Sequence, residues 1–222
     1  MRRAVLFDLD GVLIDSRAAQ LATLAGFATS SLGRRITVSD LPPEAATTPR
    51  AQVLAELGLA GTINEDGWDA ASATATLTTE VFPFVADTLA ALRAADIATG
   101  IVTLRSRQRV NWLLPPAVLD LIDTVVCYED APPKPAPDSV LLALEQLGVS
   151  PSGAVFVGDM ESDVHAAGAA GVTAVGAGWG FAGADALTRA GANLVLRHPE
   201  DVAEVLLLLM GTGQQATYSK RS

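Results

Sequence analysis

The chain is short of the residues that would mark a secreted, membrane-embedded or nucleic-acid-binding protein. It has one cysteine, Cys127, so no internal disulfide can form and a reducing compartment is expected. Its longest apolar run, VLLLLM at 205–210, is far too short to span a bilayer, so no membrane partner is expected. The opening MRRAVLFDLD lacks the apolar region and cleavage site of a signal peptide, which points to a cytoplasmic protein. Positive charge is scarce, and the formal net charge is −10. That argues against binding by phosphate neutralisation, so no nucleic-acid partner is expected. It also requires any anionic substrate to be attracted by local positive charge. Lysine is almost missing: Lys134 and Lys220 are the two in the chain.

What is present is apolar. Half of the 222 residues are hydrophobic, enough for a large core, with room for a smaller inserted domain. Short apolar or β-branched runs at 4–8, 98–103, 124–127, 154–158, 172–176 and 193–196 read as strands. Helical spacing is seen at 85–95, 138–147, 162–170 and 201–210. Strand and helix in alternation predict an α/β fold with a doubly wound, mostly parallel Rossmann-like sheet. Residues 16–82 break the alternation, with helical spacing and no convincing strand. They are far longer than a crossover needs, so a helical cap inserted into the core is expected. The domain assignment is therefore core at 1–15 and 83–210, cap at 16–82, and a polar, frayed tail at 211–222.

The polar exceptions fall at strand ends. Asp8 and Asp10 close VLFDLDG, Thr103 closes GIVT, and Lys134 lies in APPKPAPD after the TVVC strand. Asp159 closes AVFVGD, with Asp163 four residues on. In open α/β sheets, ligands bind outside the carboxyl ends of the strands, so topology gathers these groups at one edge. Lys134, flanked by prolines, sits in a stiffened loop that would aim its ammonium at a fixed point; a lysine merely pairing a nearby acid is the alternative. Likewise Asp8 and Asp10 alone could be a solvated strand end.

Together the groups suit phosphoryl transfer. A carboxylate such as Asp8 can attack phosphorus and form an acyl phosphate. Mg²⁺, a hard cation held by Asp8 and Asp159, would remove the repulsion between carboxylate and phosphate. Lys134 and Thr103 could stabilise the equatorial oxygens, and Asp10 could protonate the leaving alcohol and then deprotonate water. Gly11 permits a turn tight enough for backbone N–H groups to face the phosphate.

DLDGV at 8–12, Thr103, KPAPD at 134–138 and GDMESD at 158–163 resemble, in order, the four motifs of the haloacid dehalogenase-like hydrolase superfamily. The insertion after the first motif resembles the helical cap of the phosphoglycolate phosphatase and β-phosphoglucomutase branch. The resemblance implies Asp8 as nucleophile, Asp10 as acid/base, and Thr103 and Lys134 as phosphate binders. It also implies Mg²⁺ held by Asp8, the Asp10 backbone carbonyl and Asp159, with Asp163 in support. Dehalogenating members lack the second aspartate, so Asp10 argues for phosphate. Members that cleave carbon–phosphorus bonds use a cap lysine, and residues 16–82 have none. Leu104 departs from the Asn or Ser of many relatives. It is harmless if the position offers phosphate a backbone N–H, and weakening if it offers a side chain. PFV at 83–85 departs from Pro-Gly-Val, at the cap hinge.

The expected activity is therefore a Mg²⁺-dependent phosphatase acting on a small phosphorylated metabolite, as a monomer or homodimer. A phosphomutase shares the same core and stays open, as do an aspartyl-phosphate signalling domain and a non-catalytic binding protein. Specificity is expected from the cap, with Arg50 in TTPR a candidate for an anionic group and Arg17 and Arg105 weaker ones. Asp15, with Ser16, reads as the hinge and helix N-cap that open the cap. His165 and His198 read as packing or surface, Cys127 as a small buried residue. Trp179 and Phe181 read as packing or mouth of the site, and Trp68, Trp112 and Phe82 as cap or interface packing.

Overall fold

A computed structural model describes residues 2–61, 67–68, 71–73 and 79–211. The chain divides into two compact units, one holding the residues up to Leu13 and from Phe82 onward, the other Ile14–Val81.

The larger unit is built on a six-stranded sheet: β1 (Arg3–Phe7), β4 (Ile97–Val102), β5 (Thr124–Val126), β6 (Ala154–Gly158), β7 (Thr173–Ala177) and β8 (Leu194–Leu196). Their spatial order is β5-β4-β1-β6-β7-β8, and every pairing is parallel. Helices α3 (Val85–Ala94), α4 (Arg107–Leu113), α5 (Pro116–Leu119), α6 (Asp138–Leu147), α7 (Glu161–Ala169), α8 (Ala184–Arg189) and α9 (Val202–Gly211) connect or follow them. All six residues of β4 are buried, because helices cover both faces and leave no position for alternation. Ala4 and Leu6 of β1 share a core with Val140, Ala143 and Leu144 of α6 and Ala166 of α7. Val5 and Phe7 alternate with them and are equally buried, and α9 packs on α3 and β1. The sheet winds outward from β1 in both directions, so the strand order reverses between β1 and β6. That switch point opens a crevice at the carboxyl ends.

The smaller unit contains α1 (Arg17–Leu32), a 3-10 turn at Val38–Asp40, α2 (Arg50–Glu56) and a two-residue antiparallel pairing of β2 (Ile14–Asp15) with β3 (Glu80–Val81). It has its own core of Leu24, Phe27, Ala28, Ile36, Val53 and Leu54. Gly33, left-handed at φ 64°, ends α1. Trp68 packs edge-to-face on Phe27 at 5.5 Å.

Three readings change. Glu80–Val81 is a strand within 16–82, too short for any period to show in sequence. Ser16 occupies the N-cap position of α1 but makes no side-chain cap hydrogen bond; its Oγ accepts from Gln20 Nε2 at 3.2 Å instead. Trp112, 59% exposed on α4, belongs to the larger unit and so is not cap packing. Of the expected frayed tail, Gly211 ends α9, and 212–222, with Lys220, lie outside the described residues.

Candidate active site

Asp8 is the first residue after β1, and its N–H extends the sheet by donating to Val157 O at 2.8 Å. Its carboxylate thus emerges at the switch point, 7% exposed. Gly11 then turns the chain at φ +73°. A side chain there would be strained and its Cβ would overlap the Asp159 carboxylate.

Lys134, also 7% exposed, reaches into this crevice from the loop before α6. Its Nζ lies 2.7 Å from Asp8 Oδ1, 2.7 Å from Asp163 Oδ1 and 3.2 Å from Val102 O. These partners account for all three ammonium hydrogens. Burial alone would push Lys134 down, but Asp163 and Asp8 outweigh it and hold the ammonium above its ordinary value. Asp163, in the first turn of α7, has its other oxygen occupied as well: Oδ2 accepts from Asp159 N at 3.1 Å and Met160 N at 3.0 Å. It therefore fixes both the lysine and the backbone that carries Asp159.

Asp159 follows β6 and is fully buried. Its Oδ2 accepts from Phe181 N at 2.7 Å, whereas its Oδ1 is buried with no hydrogen-bond partner. A Cβ at Gly180 would overlap Asp159, and one at Gly158 would overlap Asp163, so the backbone closes tightly around both acids. Carboxylate oxygens of Asp8, Asp159 and Asp163 lie within 4.8 Å of one another. Three buried carboxylates thus share one ammonium. Burial, and then the neighbouring acids, push Asp159 well above the ordinary carboxylate range. Burial does the same to Asp8, which Lys134 pulls back and Asp163 and Asp10 push further, to about 7.

This arrangement fits a hard divalent cation. The donors are all oxygen, they carry more negative charge than Lys134 balances, and one buried carboxylate oxygen lacks any partner. Asp8 and Asp159 would hold the ion. Asp163, whose oxygens already accept from three N–H groups, would support them.

Asp10 takes a different cation. Arg105 Nε and Nη2 donate to Asp10 Oδ2 and Oδ1, both at 2.8 Å, in a bidentate clamp. Thr103 is buried after β4, where its N–H donates to Val126 O at 3.0 Å and its Oγ1 accepts from Arg105 N at 3.1 Å. Leu104 turns outward, 52% exposed, and offers no side-chain polar atom.

The sequence pattern of the haloacid dehalogenase-like hydrolases matches residues 5–177. The chain belongs to this family. It is 35% identical over 199 residues to the phosphoglycolate phosphatase of Pseudomonas putida, covering 81% of this chain and 70% of that one. It is 33% identical over 212 residues to the pyrophosphatase PpaX of Bacillus velezensis, covering 91% and 95% respectively. Its fold matches the crystal structure of a family hydrolase from Deinococcus radiodurans with bound phosphate and sodium. There the TM-score is 0.71 at 28% identity, over 93% of this chain and 96% of that one.

Within this family framework, the structure brings Asp8, Asp10, Gly11, Thr103, Lys134, Asp159 and Asp163 to one edge of the sheet. The two aspartates of DLDGV are served by separate cations, Lys134 and Arg105, rather than sharing one. Arg50 belongs to the other unit, where its guanidinium sits 4.9 Å over the Trp68 ring. Arg17, His165 and His198 are exposed. Burial raises the Cys127 thiol to about 11, which leaves it protonated and unreactive. Phe82 stacks on Phe84 at 5.8 Å, and Phe84 meets Trp179 edge-on at 5.6 Å, all within the larger unit. Two contributions escaped the sequence reading. The Phe181 backbone N–H leaves no mark in residue type. Arg105 was visible as the cation two residues beyond Thr103, but its partner Asp10 is 95 positions away.

Proposed function

We propose that this phosphatase hydrolyses a small phosphomonoester in two steps through a phosphoryl group carried on Asp8. The observation that carries the reading is the buried cluster at the switch point: Lys134 on Asp8 and Asp163, beside an Asp159 oxygen without a partner.

In the first step an Asp8 carboxylate oxygen attacks phosphorus, and the bond from phosphorus to the leaving alcohol breaks. Asp10 gives a proton to the departing oxygen. In the second step Asp10 takes a proton from water as the water oxygen bonds to phosphorus. The Asp8–phosphorus bond then breaks, inorganic phosphate leaves, and Asp8 is regenerated. Lys134 and the Thr103 hydroxyl face the charge that develops on the phosphoryl oxygens, with Lys134 exchanging part of its hold on Asp8 and Asp163 for the phosphoryl group. A Mg²⁺ ion held by Asp8 and Asp159, with the Asp10 carbonyl, would supply the positive charge that lets carboxylate and phosphate approach.

Phosphate release from p-nitrophenyl phosphate and a panel of sugar phosphates, phosphoglycolate and nucleoside monophosphates tests the reading. Release that requires Mg²⁺ and is lost in Asp8→Asn supports it. Undiminished turnover after thorough chelation would remove the metal from the account, and undiminished turnover in Asp8→Asn would remove the nucleophile. A signalling domain would instead keep its phosphoryl-aspartate for minutes.

A further inference from the structure

We propose that Trp179 and Phe84 are positioning residues for the cation. Their ring contact braces the glycine-rich loop that holds Asp159. It also ties that loop to the point where the chain returns from the smaller unit. The inference rests on the cation site of the phosphatase reading above, and assigns to it two residues outside the carboxylate cluster.

The loop after β7, residues 178–182, is fitted closely to Asp159. Phe181 N donates to Asp159 Oδ2 at 2.7 Å, and Ala182 N donates to Asp159 O at 3.3 Å. Gly178 N donates to Leu196 O at 2.7 Å, which ties the loop to the end of β8 as well. This close approach requires glycine. A Cβ at Gly178 would overlap Leu196 O, and one at Gly180 would overlap Asp159. Glycine also leaves the backbone more freedom, so the loop needs an anchor. In AGWGFAG, residues 177–183, Trp179 and Phe181 are the two side chains large enough to provide one.

Both anchors fall on the segments that flank the smaller unit. Phe181 Cδ1 lies 3.3 Å from where a Cβ on Gly11 would sit. Trp179 meets Phe84 edge-on at 5.6 Å, and Phe84 stacks on Phe82 at 5.8 Å. Phe82 N in turn donates to Leu13 O at 2.9 Å. Leu13 and Phe82 are the residues at which the chain leaves the larger unit and re-enters it. Trp179 Nε1 is buried with no hydrogen-bond partner among the described residues, so packing, the Phe84 ring included, sets the place of the indole. Hinge, rings, loop and Asp159 thus form one continuous path within the larger unit. It ends on Asp159 Oδ1, the buried oxygen that lacks a partner. A loop that yields would loosen the Phe181 N–H on Oδ2, and with it the orientation of Oδ1 toward a cation.

The test measures Mg²⁺ affinity by isothermal titration for wild type, Trp179→Ala, Trp179→Phe and Phe84→Leu. For the same proteins, kcat on p-nitrophenyl phosphate is followed against Mg²⁺ concentration. Trp179→Ala and Phe84→Leu should each raise the Mg²⁺ Kd about three- to tenfold. Their kcat should recover at saturating Mg²⁺, because Asp8, Asp10 and Lys134 are untouched. Trp179→Phe should stay near wild type, since a phenyl ring keeps an edge to offer and Nε1 has no bond to lose. Linkage is reciprocal, so Mg²⁺ should also slow amide exchange in the peptide containing Phe82 in wild type, and not in Trp179→Ala. An unchanged Kd in Trp179→Ala overturns the inference, as does exchange around Phe82 that is indifferent to Mg²⁺ in wild type. So does a kcat that saturating Mg²⁺ fails to restore in a variant of unchanged melting temperature, or a Trp179→Phe as weak as Trp179→Ala. If wild type binds Mg²⁺ but releases no phosphate, the phosphatase reading fails while the titration and exchange arms still decide the inference. If wild type binds no Mg²⁺, the cation site fails and takes the inference with it.

Discussion

At the scale of single residues, the site is set by an imbalance. Asp8, Asp159 and Asp163 are buried around one ammonium, and charge that has left water is costly unless it is balanced. The raised Asp8 and Asp159 values express that cost in the metal-free protein. The sign follows from proton counting. As pH rises above the ordinary aspartate value of 3.8, the unfolded chain loses the Asp8 proton while the folded chain keeps it up to about 7. Over that window the folded state binds more protons, so the Asp8 contribution to stability falls as pH rises and levels off above about 7. Asp159 acts in the same direction. Mg²⁺ should reverse the loss: at pH 7.5 and a hundredfold excess over its Kd it should raise the melting temperature by about 5–10 °C. In Asp159→Asn the metal-free protein should show a shallower fall with pH and little response to Mg²⁺. Thermal melts at pH 5 and 7.5, with and without Mg²⁺, check both; a wild-type melt indifferent to Mg²⁺ at pH 7.5 would contradict the cation site.

At the scale of elements, the sheet was legible because its strands are short apolar runs buried on both faces. The predicted 98–103 and 154–158 are found at Ile97–Val102 and Ala154–Gly158. Helices α4, α5 and α8 span seven, four and six residues and are held by tertiary packing more than by any apolar period. That Asp8, Asp159 and Asp163 gather at one sheet edge was legible because carboxylates interrupt apolar strand ends. The Asp10–Arg105 clamp was not, since it joins two loops that only the parallel order of β1 and β4 brings together. Nor was the role of the loop after β7, which holds Asp159 by the Phe181 N–H and by the missing side chain of Gly180. Gly180→Ala should displace Asp159 while sparing Asp8 and Lys134, so it should weaken Mg²⁺ binding by about tenfold or more. Isothermal titration with Mg²⁺ measures this, and an unchanged affinity would show that the loop yields.

At the scale of the whole molecule, an acidic chain is made to handle an acidic substrate. The net charge of −10 repels phosphate at a distance, and the fold answers by concentrating Lys134, Arg105 and three carboxylates that could hold a cation at one crevice of the larger unit. The smaller unit has a core of its own, and every residue of this cluster belongs to the larger unit. The central claim is that the crevice makes and breaks a bond between Asp8 and phosphorus. Rapid acid quench of a single turnover with ³²P-labelled substrate and Mg²⁺, followed by peptide mapping, tests it most directly. The account predicts label on the peptide containing Asp8 before free phosphate appears, decaying as phosphate is released, and neither event in Asp8→Asn. Label on any other residue, or phosphate release by Asp8→Asn at the wild-type rate, would contradict it.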